Sequence, residues 1–436
     1  MQRLTVLFPA PLGCYDYLAD EKLAPGSLIR APFGRKSSVG AVWDAPPDLS
    51  LSAGKIKPIK EVIPYALPPQ SVKFINWVSK YTLSPLGSIL KMALIPDFEK
   101  QSKKPLVFEQ PDPAHQKIHF SPEQQTAVTH LTDKLAHGFS TTLLDGVTGS
   151  GKTEVYFEMI AHALASGGQV LVLLPEIILT NAWIDRFAKR FGTPPALWHS
   201  SLTEKQRRDT WQSILNNTAK VIVGARSALF LPFADLRLIV IDEEHDASFK
   251  QEEGILYHAR DMAIVRAQIG GCPIVLSSAT PSIETYANVV SKKYDHVILP
   301  ERFQGALYPD IHIIDMRQKE KGPLRFVSPK LEAEIGVRLA KKEQSLLFLN
   351  RRGYAPMLLC RSCGDRLSCP NCSVYLTYHQ KKDALLCHHC GYTVKRPDTC
   401  PACKEDALVA CGPGVERIHE ELQTYFPGAK INVVTS

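Results

Sequence analysis

The sequence contains no long apolar run. Its longest apolar stretches, such as 170–174 and 238–241, have the length of a buried strand, whereas a membrane-spanning helix needs about 20 apolar residues. The first residues, MQRLTVLFPAPLG, also lack the basic start, long apolar stretch and small-residue cleavage site of a secretory signal. We therefore expect no membrane span and a cytoplasmic location.

Low-complexity tracts and internal repeats are also missing. Apolar residues make up 44% and charged residues 22% of the 436 residues, which is the balance of a soluble globular protein. A chain of this length exceeds one ordinary core, so two to four domains are expected. Apart from the acidic run discussed below, the sequence lacks an acidic metal cluster, which argues against a metal-dependent nuclease.

The net charge is +7, and much of the basic excess lies near the start of the chain. Residues 1–118 hold fifteen Lys and Arg against ten Asp and Glu. A polyanionic partner fits this excess, although an ordinary solvated surface fits it as well.

Changes in sequence pattern predict six segments in a chain of α/β class. The first segment, 1–97, alternates short β-rich stretches with Pro and Gly turns and carries one helix near 71–81, which predicts a mostly-β domain. The third segment, 120–303, alternates strands with helices, which predicts a parallel sheet covered on both faces. A second unit of this type is predicted from a strand at 311–316, a helix at 329–342 and a strand at 345–350, and it is interrupted by cysteines. The segments are 1–97, a linker at 98–119, 120–303, 304–359, a cysteine-rich module at 360–411, and 412–436.

Residues 146–153 spell GVTGSGKT between a predicted strand and a predicted helix, a complete phosphate-binding loop. Backbone N–H groups of the loop would point at the phosphates of ATP, and the positive end of the helix dipole would stabilise their negative charge. Lys152 would reach the β and γ phosphates, and the Thr153 hydroxyl would ligate Mg²⁺. The residues expected at this site are Gly146, Thr148, Gly149, Ser150, Gly151, Lys152 and Thr153.

An acidic run, DEEH, follows the apolar strand LIVI at 238–241. We expect Asp242 to hold Mg²⁺ and Glu243 to polarise the attacking water, so that the catalytic residues are Lys152, Asp242 and Glu243. A helix N-terminal cap is the alternative.

Three further motifs favour a motor over a simple kinase. In SPEQQ (121–125), Gln124 is placed to read the edge of adenine, although the same residues would cap a helix. The SSAT run at 277–280 is expected to link the nucleotide site to the DNA path, with a capped turn as the alternative. Arg226 in GARSALF is expected to contact a DNA phosphate.

Eight of the eleven cysteines form four CxxC pairs, a pattern that predicts two four-thiolate Zn²⁺ sites. The spacing permits both sequential and interleaved pairing of these motifs. A redox-active CxxC is the alternative, and Cys14, Cys272 and Cys411 are expected to be ordinary small residues in or near cores. The eight predicted ligands are Cys360, Cys363, Cys369, Cys372, Cys387, Cys390, Cys400 and Cys403.

The chain resembles the PriA family of superfamily-two helicases in the runs GVTGSGKTEVY, LLPEIILT, GARSALFLPF, VIDEEHDASFKQEEGILYHARD and SSATPSIET. The resemblance implies a RecA-like P-loop motor lobe between a small mostly-β DNA-binding domain and an incomplete second RecA-like lobe with a zinc-binding insertion. It implies a monomeric ATP-dependent 3′ to 5′ DNA helicase that acts at stalled replication forks and initiates primosome assembly. The partners implied are forked and single-stranded DNA, primosome proteins and single-strand binding protein.

By position, the resemblance assigns a pocket for the 3′ end of the nascent leading strand to Tyr15, Asp16, Gly34 and Lys57. An aromatic face stacks a terminal base, a carboxylate accepts from the 3′ hydroxyl, and lysine meets a phosphate.

The segment 246–261 is similar to the family's aromatic-rich loop, in which Phe249 and Tyr257 would contact single-stranded DNA. The resemblance also implies interleaved zinc sites, with Cys360, Cys363, Cys400 and Cys403 on one ion and Cys369, Cys372, Cys387 and Cys390 on the other.

Two departures from the family pattern affect the expected activity. Residues 98–119 are too few for the winged helix that the family carries there, and the second lobe stops at Ser436, before the motif that supplies a catalytic arginine. Arg351 and Arg352 belong to an earlier motif, and GPGVER at 412–417 differs from the family's GxGTE. A fork-binding scaffold that recruits primosome proteins without ATP turnover is therefore the alternative.

Overall fold

The computed structural model describes residues 2–48, 50–100, 102, 104–175, 181–303, 309–315, 326–349, 357–372, 374–379, 383–411 and 415–434. The chain consists of two compact units, Met1–Tyr308 and Pro309–Ser436. In the part of the chain that the structure describes, no helix is long and apolar enough to cross a membrane.

The N-terminal part of the first unit is a six-stranded sheet with two helices. The sheet order is β5-β2-β1-β4-β3-β6, antiparallel except for the parallel β2–β5 pair. One helix was predicted here and two are observed, because PLGSILKMA forms a short second helix with a buried apolar face. The elements are β1 Gln2–Leu7, β2 Cys14–Ala19, β3 Ser27–Phe33, β4 Lys36–Val42, β5 Lys57–Pro58, β6 Glu61–Ala66, α1 Pro69–Thr82 and α2 Leu86–Ala93.

The rest of the first unit is an α/β lobe around a seven-stranded sheet of order β15-β7-β14-β11-β8-β10-β9. Its strands are β7 Thr141–Gly146, β8 Gln169–Leu173, β9 Ala196–Trp198, β10 Val221–Gly224, β11 Leu236–Asp242, β14 Ile274–Ser278 and β15 Asp295–Leu299, and a short hairpin, β12 Lys250–Gln251 with β13 Tyr257–His258, lies outside it. Its helices are α3 Pro122–Lys134, α4 Lys152–Ala165, α5 Asn181–Phe191, α6 Glu204–Leu215, α7 Ala259–Gly270 and α8 Ile283–Val290.

All pairings in this seven-stranded sheet are parallel, as the apolar strand sequences predict. Alternate residues of each strand enter different cores: Ile239 and Ile241 lie in one, and Val240 lies in the other. The register aligns the ends of three strands, because Asp242 pairs with Ser277 and Ser278 pairs with Asp145. Side chains from three separate motifs therefore meet at one edge.

The predicted linker contains no helix or strand among its described residues, and it lies along the α/β lobe. The backbone N–H of Leu106 donates to Asp209 Oδ2 at 3.1 Å, and Arg190 Nη1 donates to the carbonyl of Pro113 at 2.8 Å. The buried Trp211 of α6 donates to the carbonyl of Ala93 at 2.9 Å, so the β domain also packs directly on the lobe.

The second unit contains the pair β16 Met357–Cys360 and β20 Leu408–Cys411, a three-stranded sheet of β17 Thr377–His379, β18 Ala384–Leu386 and β19 Thr393–Lys395, and helices α9 Pro329–Ala340 and α10 Val415–Tyr425. A second α/β unit starting with strands near 311–316 and 345–350 was predicted. The helix between them is present, but the described residues of both stretches form no strand. A strand needs a paired neighbour, and here Ile313 and Leu346 are 90% and 94% exposed.

Candidate functional site

The predicted phosphate loop joins the end of β7 to the start of α4. Gly149 and Gly151 have φ values of +85° and +83°, in the left-handed region that favours glycine. A Cβ at Gly151 would lie 2.3 Å from Gln124 Nε2. Helix α4 begins at Lys152, so its N-terminal N–H groups face the loop.

The loop residues fit a triphosphate. The hydroxyl of Ser150 is buried and has no hydrogen-bond partner among the described residues. Lys152 Nζ donates to the loop's own carbonyls, at 2.6 Å to Gly146 and 3.4 Å to Val147. A cavity of about 580 Å³ adjoins the loop between the linker and α5, with Gly149, Gly151 and residues 116–119 in its lining. This volume lies in the range of small-molecule sites.

Asp242 and Glu243 lie beside this lysine at the end of β11. Burial lowers the pKa of Lys152, and the charges of Glu243, Asp242 and Asp145 oppose that shift. Burial also raises the pKa of Glu243, and neighbouring Asp242 raises it further, while Lys152 lowers it. Glu243 has a φ of +50°, so its backbone turns sharply as it leaves the strand. The three predicted catalytic residues therefore share one electrostatic environment.

Asp242 is fixed by hydrogen bonds from two other elements. Its Oδ1 accepts from the hydroxyl of Ser277 at 2.8 Å, and its Oδ2 accepts from the phenol of Tyr156 at 2.9 Å. A carboxylate oriented in this way suits Mg²⁺, which prefers oxygen ligands in fixed geometry. The Thr153 hydroxyl at the start of α4 would supply a second oxygen of the kind that Mg²⁺ prefers.

Gln124 occupies the capping box at the start of α3. Its side-chain oxygen accepts from the backbone N–H of Ser121 at 3.0 Å, and its Nε2 donates to the carbonyl of Ser150 at 2.8 Å. It therefore supports the phosphate loop directly, and contact with adenine stays a prediction.

The SSAT segment lies against the DEEH run. Ser278 Oγ is 2.8 Å from His245 Nδ1, and Thr280 Oγ1 is 3.4 Å from His245 Nε2. These contacts connect the acidic run to the end of β14 and to the loop that follows it.

One residue of the acidic run has a role that sequence reasoning missed. Glu244 is fully buried and accepts from Arg260 Nη1 at 2.9 Å, from Thr285 Oγ1 at 2.9 Å and from the backbone N–H of Ser282 at 2.7 Å. The sequence pattern predicts acidic residues at this edge, but it does not identify their partners on α7 and α8.

The predicted DNA-contacting residues of the lobe differ in accessibility. Arg226 is half-buried at the start of a largely buried 3₁₀ turn, where it donates to the carbonyl of Lys250. Phe249 and Tyr257 are only 1% and 6% exposed, so neither ring offers a face to a base in this arrangement. Stacking on DNA would require both rings to leave the core.

Three of the four residues predicted for the 3′-end pocket lie on neighbouring strands of the N-terminal sheet. Tyr15 and Asp16 are in β2, and Lys57 is exposed in β5, which pairs with β2. The Tyr15 ring is 40% exposed, and its edge faces Phe33, which directly precedes Gly34 at the β3–β4 turn.

Asp16 is held by two donors and leaves one oxygen unpaired. Arg3 Nη2 and the backbone N–H of Asp48 donate to Asp16 Oδ2 at 2.7 and 2.9 Å. Asp16 Oδ1 is buried and has no partner among the described residues. Because this oxygen is fully covered, a ligand hydroxyl reaches it only if neighbouring side chains move.

The eight cysteines of the CxxC motifs form two interleaved groups. In each group all four sulfurs lie within 4.8 Å of one another, and the groups are Cys360, Cys363, Cys400 and Cys403, and Cys369, Cys372, Cys387 and Cys390. The sulfurs are therefore grouped in the interleaved order and not in the sequential one, and the ligation of zinc by these groups stays a prediction.

The sulfur geometry fits zinc. Around a tetrahedral ion with Zn–S bonds of about 2.3 Å, sulfurs lie about 3.8 Å apart, and neighbouring sulfurs here are 3.3 to 3.8 Å apart. Backbone N–H groups, those of Cys363 and Cys390 above all, lower the pKa of Cys360 to about 7 and that of Cys387 to about 6. The pKa values of Cys363 and Cys372 are instead raised to about 12, so each group holds one readily formed thiolate beside thiols that lose their protons when zinc binds.

Several predicted motif residues lie outside the described part of the chain. These are Arg351, Arg352, residues 176–180 of LLPEIILT, residues 412–414 of GPGVER, and Ser436.

Three family models match separate parts of the chain. A model for a DEAD/DEAH box helicase matches residues 121–289, and a 3′DNA-binding domain model matches residues 5–95. A model for the PriA DNA helicase Cys-rich region matches residues 369–395.

Curated relatives match over much greater lengths. The replication restart protein PriA of Rickettsia felis is 45% identical over 447 residues, which cover 100% of this chain and 67% of that protein. Its counterpart in Rickettsia prowazekii is 45% identical over 96% of this chain and 64% of its own length. The chain thus spans about two thirds of the length of these relatives. Among solved structures, RecG bound to a three-way DNA junction is similar over 43% of this chain and 24% of the RecG chain, with 21% identity. The TM-score of this match is 0.33, which is too low to support a structural conclusion.

Proposed function

Because this chain belongs to the PriA family of replication restart proteins and carries a DEAD/DEAH box helicase domain, we propose that it is an ATP-dependent 3′ to 5′ DNA helicase. It acts in the cytoplasm at stalled replication forks and initiates primosome assembly there. Its proposed partners are forked and single-stranded DNA, other primosome proteins and single-strand binding protein, and it works as a monomer.

The observation that carries this proposal is the convergence of Lys152, Asp242 and Glu243 at one sheet edge, beside a glycine cradle with an orphaned Ser150 hydroxyl. Lys152 releases the loop carbonyls and binds the β and γ phosphates. Glu243 orients the attacking water and accepts its proton. Asp242 and Thr153 hold Mg²⁺, which neutralises charge on the phosphates when it is bound.

DNA is engaged at two places in this proposal. The pocket of Tyr15, Asp16, Gly34 and Lys57 captures the 3′ end, and the unpaired Asp16 Oδ1 accepts from its terminal hydroxyl. Arg226 contacts the phosphate backbone on the motor lobe. The zinc module supplies a surface for partner proteins, and its two ions are structural.

Steady-state ATPase assays with and without single-stranded DNA test the proposal. We expect DNA-stimulated turnover that falls on the order of 100-fold or more in Lys152→Ala, because a preorganised charge at the phosphates is lost. Lys205→Ala, which removes an exposed lysine on α6, is the matched control and should retain full turnover. Tight binding of forked DNA without any turnover would contradict the enzyme and support a recruitment scaffold.

A further inference from the structure

A single buried phenol contacts Asp242, one of the two residues that are proposed to hold magnesium. Tyr156 lies in α4 and is completely buried. Its hydroxyl donates to Asp242 Oδ2 at 2.9 Å. The indole N–H of Trp183 in α5 donates to the same hydroxyl at 2.9 Å. The phenol therefore connects the phosphate-loop helix, the end of β11 and α5.

The hydrogen bonds to Asp242 divide between its two oxygens. Oδ1 accepts from Ser277 and, at 3.2 Å, from the backbone N–H of Glu243, whereas the hydrogen bond described for Oδ2 comes from Tyr156. Rotation of the carboxylate about its Cβ–Cγ bond is thus limited from both sides.

We propose that Tyr156 is a positioning residue for the magnesium site, which fixes the orientation of Asp242 before the ion arrives. This inference rests on the proposed function, since it concerns the same nucleotide site. Partners that orient a metal ligand in this way typically contribute 10- to 100-fold to metal affinity. The indole of Trp183 fixes the phenol in turn, but it does not itself contact Asp242.

A purely structural role is the alternative that the experiment has to separate. The Tyr156 ring packs edge-on against Phe157 at 5.4 Å, and any substitution that disturbs this packing would weaken the site indirectly. Tyr156→Phe keeps the ring and removes only the hydroxyl. Trp183→Phe serves as the matched control, because it removes a hydrogen bond of equal length to the same hydroxyl and leaves the Tyr156–Asp242 bond in place.

The measurement is Mn²⁺ affinity, followed by electron paramagnetic resonance with a non-hydrolysable ATP analogue bound to the full chain. We expect Tyr156→Phe to weaken Mn²⁺ binding about 10- to 100-fold. Affinity for the nucleotide in excess EDTA should stay within about twofold of wild type, since the metal takes no part there. Trp183→Phe should keep Mn²⁺ affinity within about threefold.

Two results would overturn the inference about Tyr156 without affecting the proposed function. One is unchanged Mn²⁺ affinity in Tyr156→Phe, and the other is a loss of Mn²⁺ affinity in Trp183→Phe as large as that in Tyr156→Phe. In both cases the wild-type chain still binds metal and nucleotide, so the proposed function stands. A wild-type chain that binds no nucleotide with or without metal overturns the proposed function and this inference together.

Discussion

Lys152 and Glu243 have pKa values displaced toward each other, and this displacement predicts the pH dependence of ATP hydrolysis. Burial raises the pKa of Glu243 and lowers that of Lys152. Glu243 works as a carboxylate, so activity is lost as the pH falls through its raised pKa. Lys152 works as an ammonium, so activity is lost as the pH rises through its lowered pKa. We expect the profile of kcat/KM, which reports the free enzyme, to be narrower on both sides than the ordinary pKa values of glutamate and lysine predict.

Lys152→Arg is the control for the alkaline side of this profile, because arginine keeps its charge throughout the accessible range. Its residual activity should persist to higher pH. A wild-type profile with an acid limb at the ordinary pKa of glutamate would contradict the raised pKa of Glu243.

Lys404 has a backbone conformation that suits glycine. In the three CxxC motifs whose following residue the structure describes, that residue has a positive φ. It is Gly364, Gly391 or Lys404, and in each its N–H donates to the first cysteine's carbonyl at 2.9 Å. The Lys404 φ of +67° costs a non-glycine residue about 1 kcal/mol. We expect Lys404→Gly to strengthen zinc retention roughly fivefold in a chelator competition.

The reciprocal change is Gly391→Ala. An added Cβ there meets nothing within 4 Å, so only the backbone conformation opposes it, and zinc retention should fall by a similar factor. If both variants retained zinc as well as the wild-type chain does, backbone strain at these positions would have no effect on zinc affinity.

Residues with a fixed local motif were predictable from the sequence, and their buried partners were not. Lys152, Asp242 and the eight cysteines follow spacings that the chemistry imposes. Tyr156 and Glu244 were missed because their partners lie on other elements, and only the sheet register brings those elements together. A buried tyrosine in an apolar helix is identical in sequence to an ordinary core residue.

At the scale of elements, the buried Glu244–Arg260 pair ties β11 to α7 and α8. Glu244 accepts hydrogen bonds from both helices, and both charged side chains are less than a tenth exposed. Removal of one partner leaves an uncompensated buried charge, which costs about 3 kcal/mol or more. We therefore expect Arg260→Gln to lower the free energy of unfolding of the lobe by that amount in urea denaturation.

A double-mutant cycle separates the pair from its surroundings. Glu244→Gln combined with Arg260→Gln should cost clearly less than the sum of the two single changes, since no charge is then left unpaired. Strict additivity would mean that the two residues stabilise the lobe independently.

Elements that bury both faces were the easiest to predict. The apolar runs of β7, β8, β11 and β14 indicated a parallel sheet, and the structure confirms it. The same reasoning failed at 311–316 and 345–350, because apolar sequence favours a strand only where paired neighbours complete its hydrogen bonds. Helix α2 was missed because its eight residues are too few for a clear period.

At the scale of the whole chain, the two units differ in what stabilises them. The first has large aliphatic and aromatic cores on both faces of a sheet. The small cores of the zinc module include metal ligands, with Cys369 and Cys387 beside Leu385 in one and Cys360 and Cys400 beside Leu408 in the other. Cores of this size seldom suffice for folding without a metal.

Zinc removal is therefore expected to unfold the module around 357–411 and to leave the first unit folded. Structural zinc contributes on the order of 10 kcal/mol to the folding of such modules. After chelation, limited proteolysis should cut the module, while nucleotide binding at Lys152 persists. The double variant Cys369→Ser with Cys390→Ser alters two ligands of one group, so metal analysis should find one zinc per chain, and Cys14→Ser should keep two. Loss of both ions from the double variant would mean that the two sites fold as one cooperative structure, and loss of nucleotide binding on chelation would show that the first unit also depends on zinc.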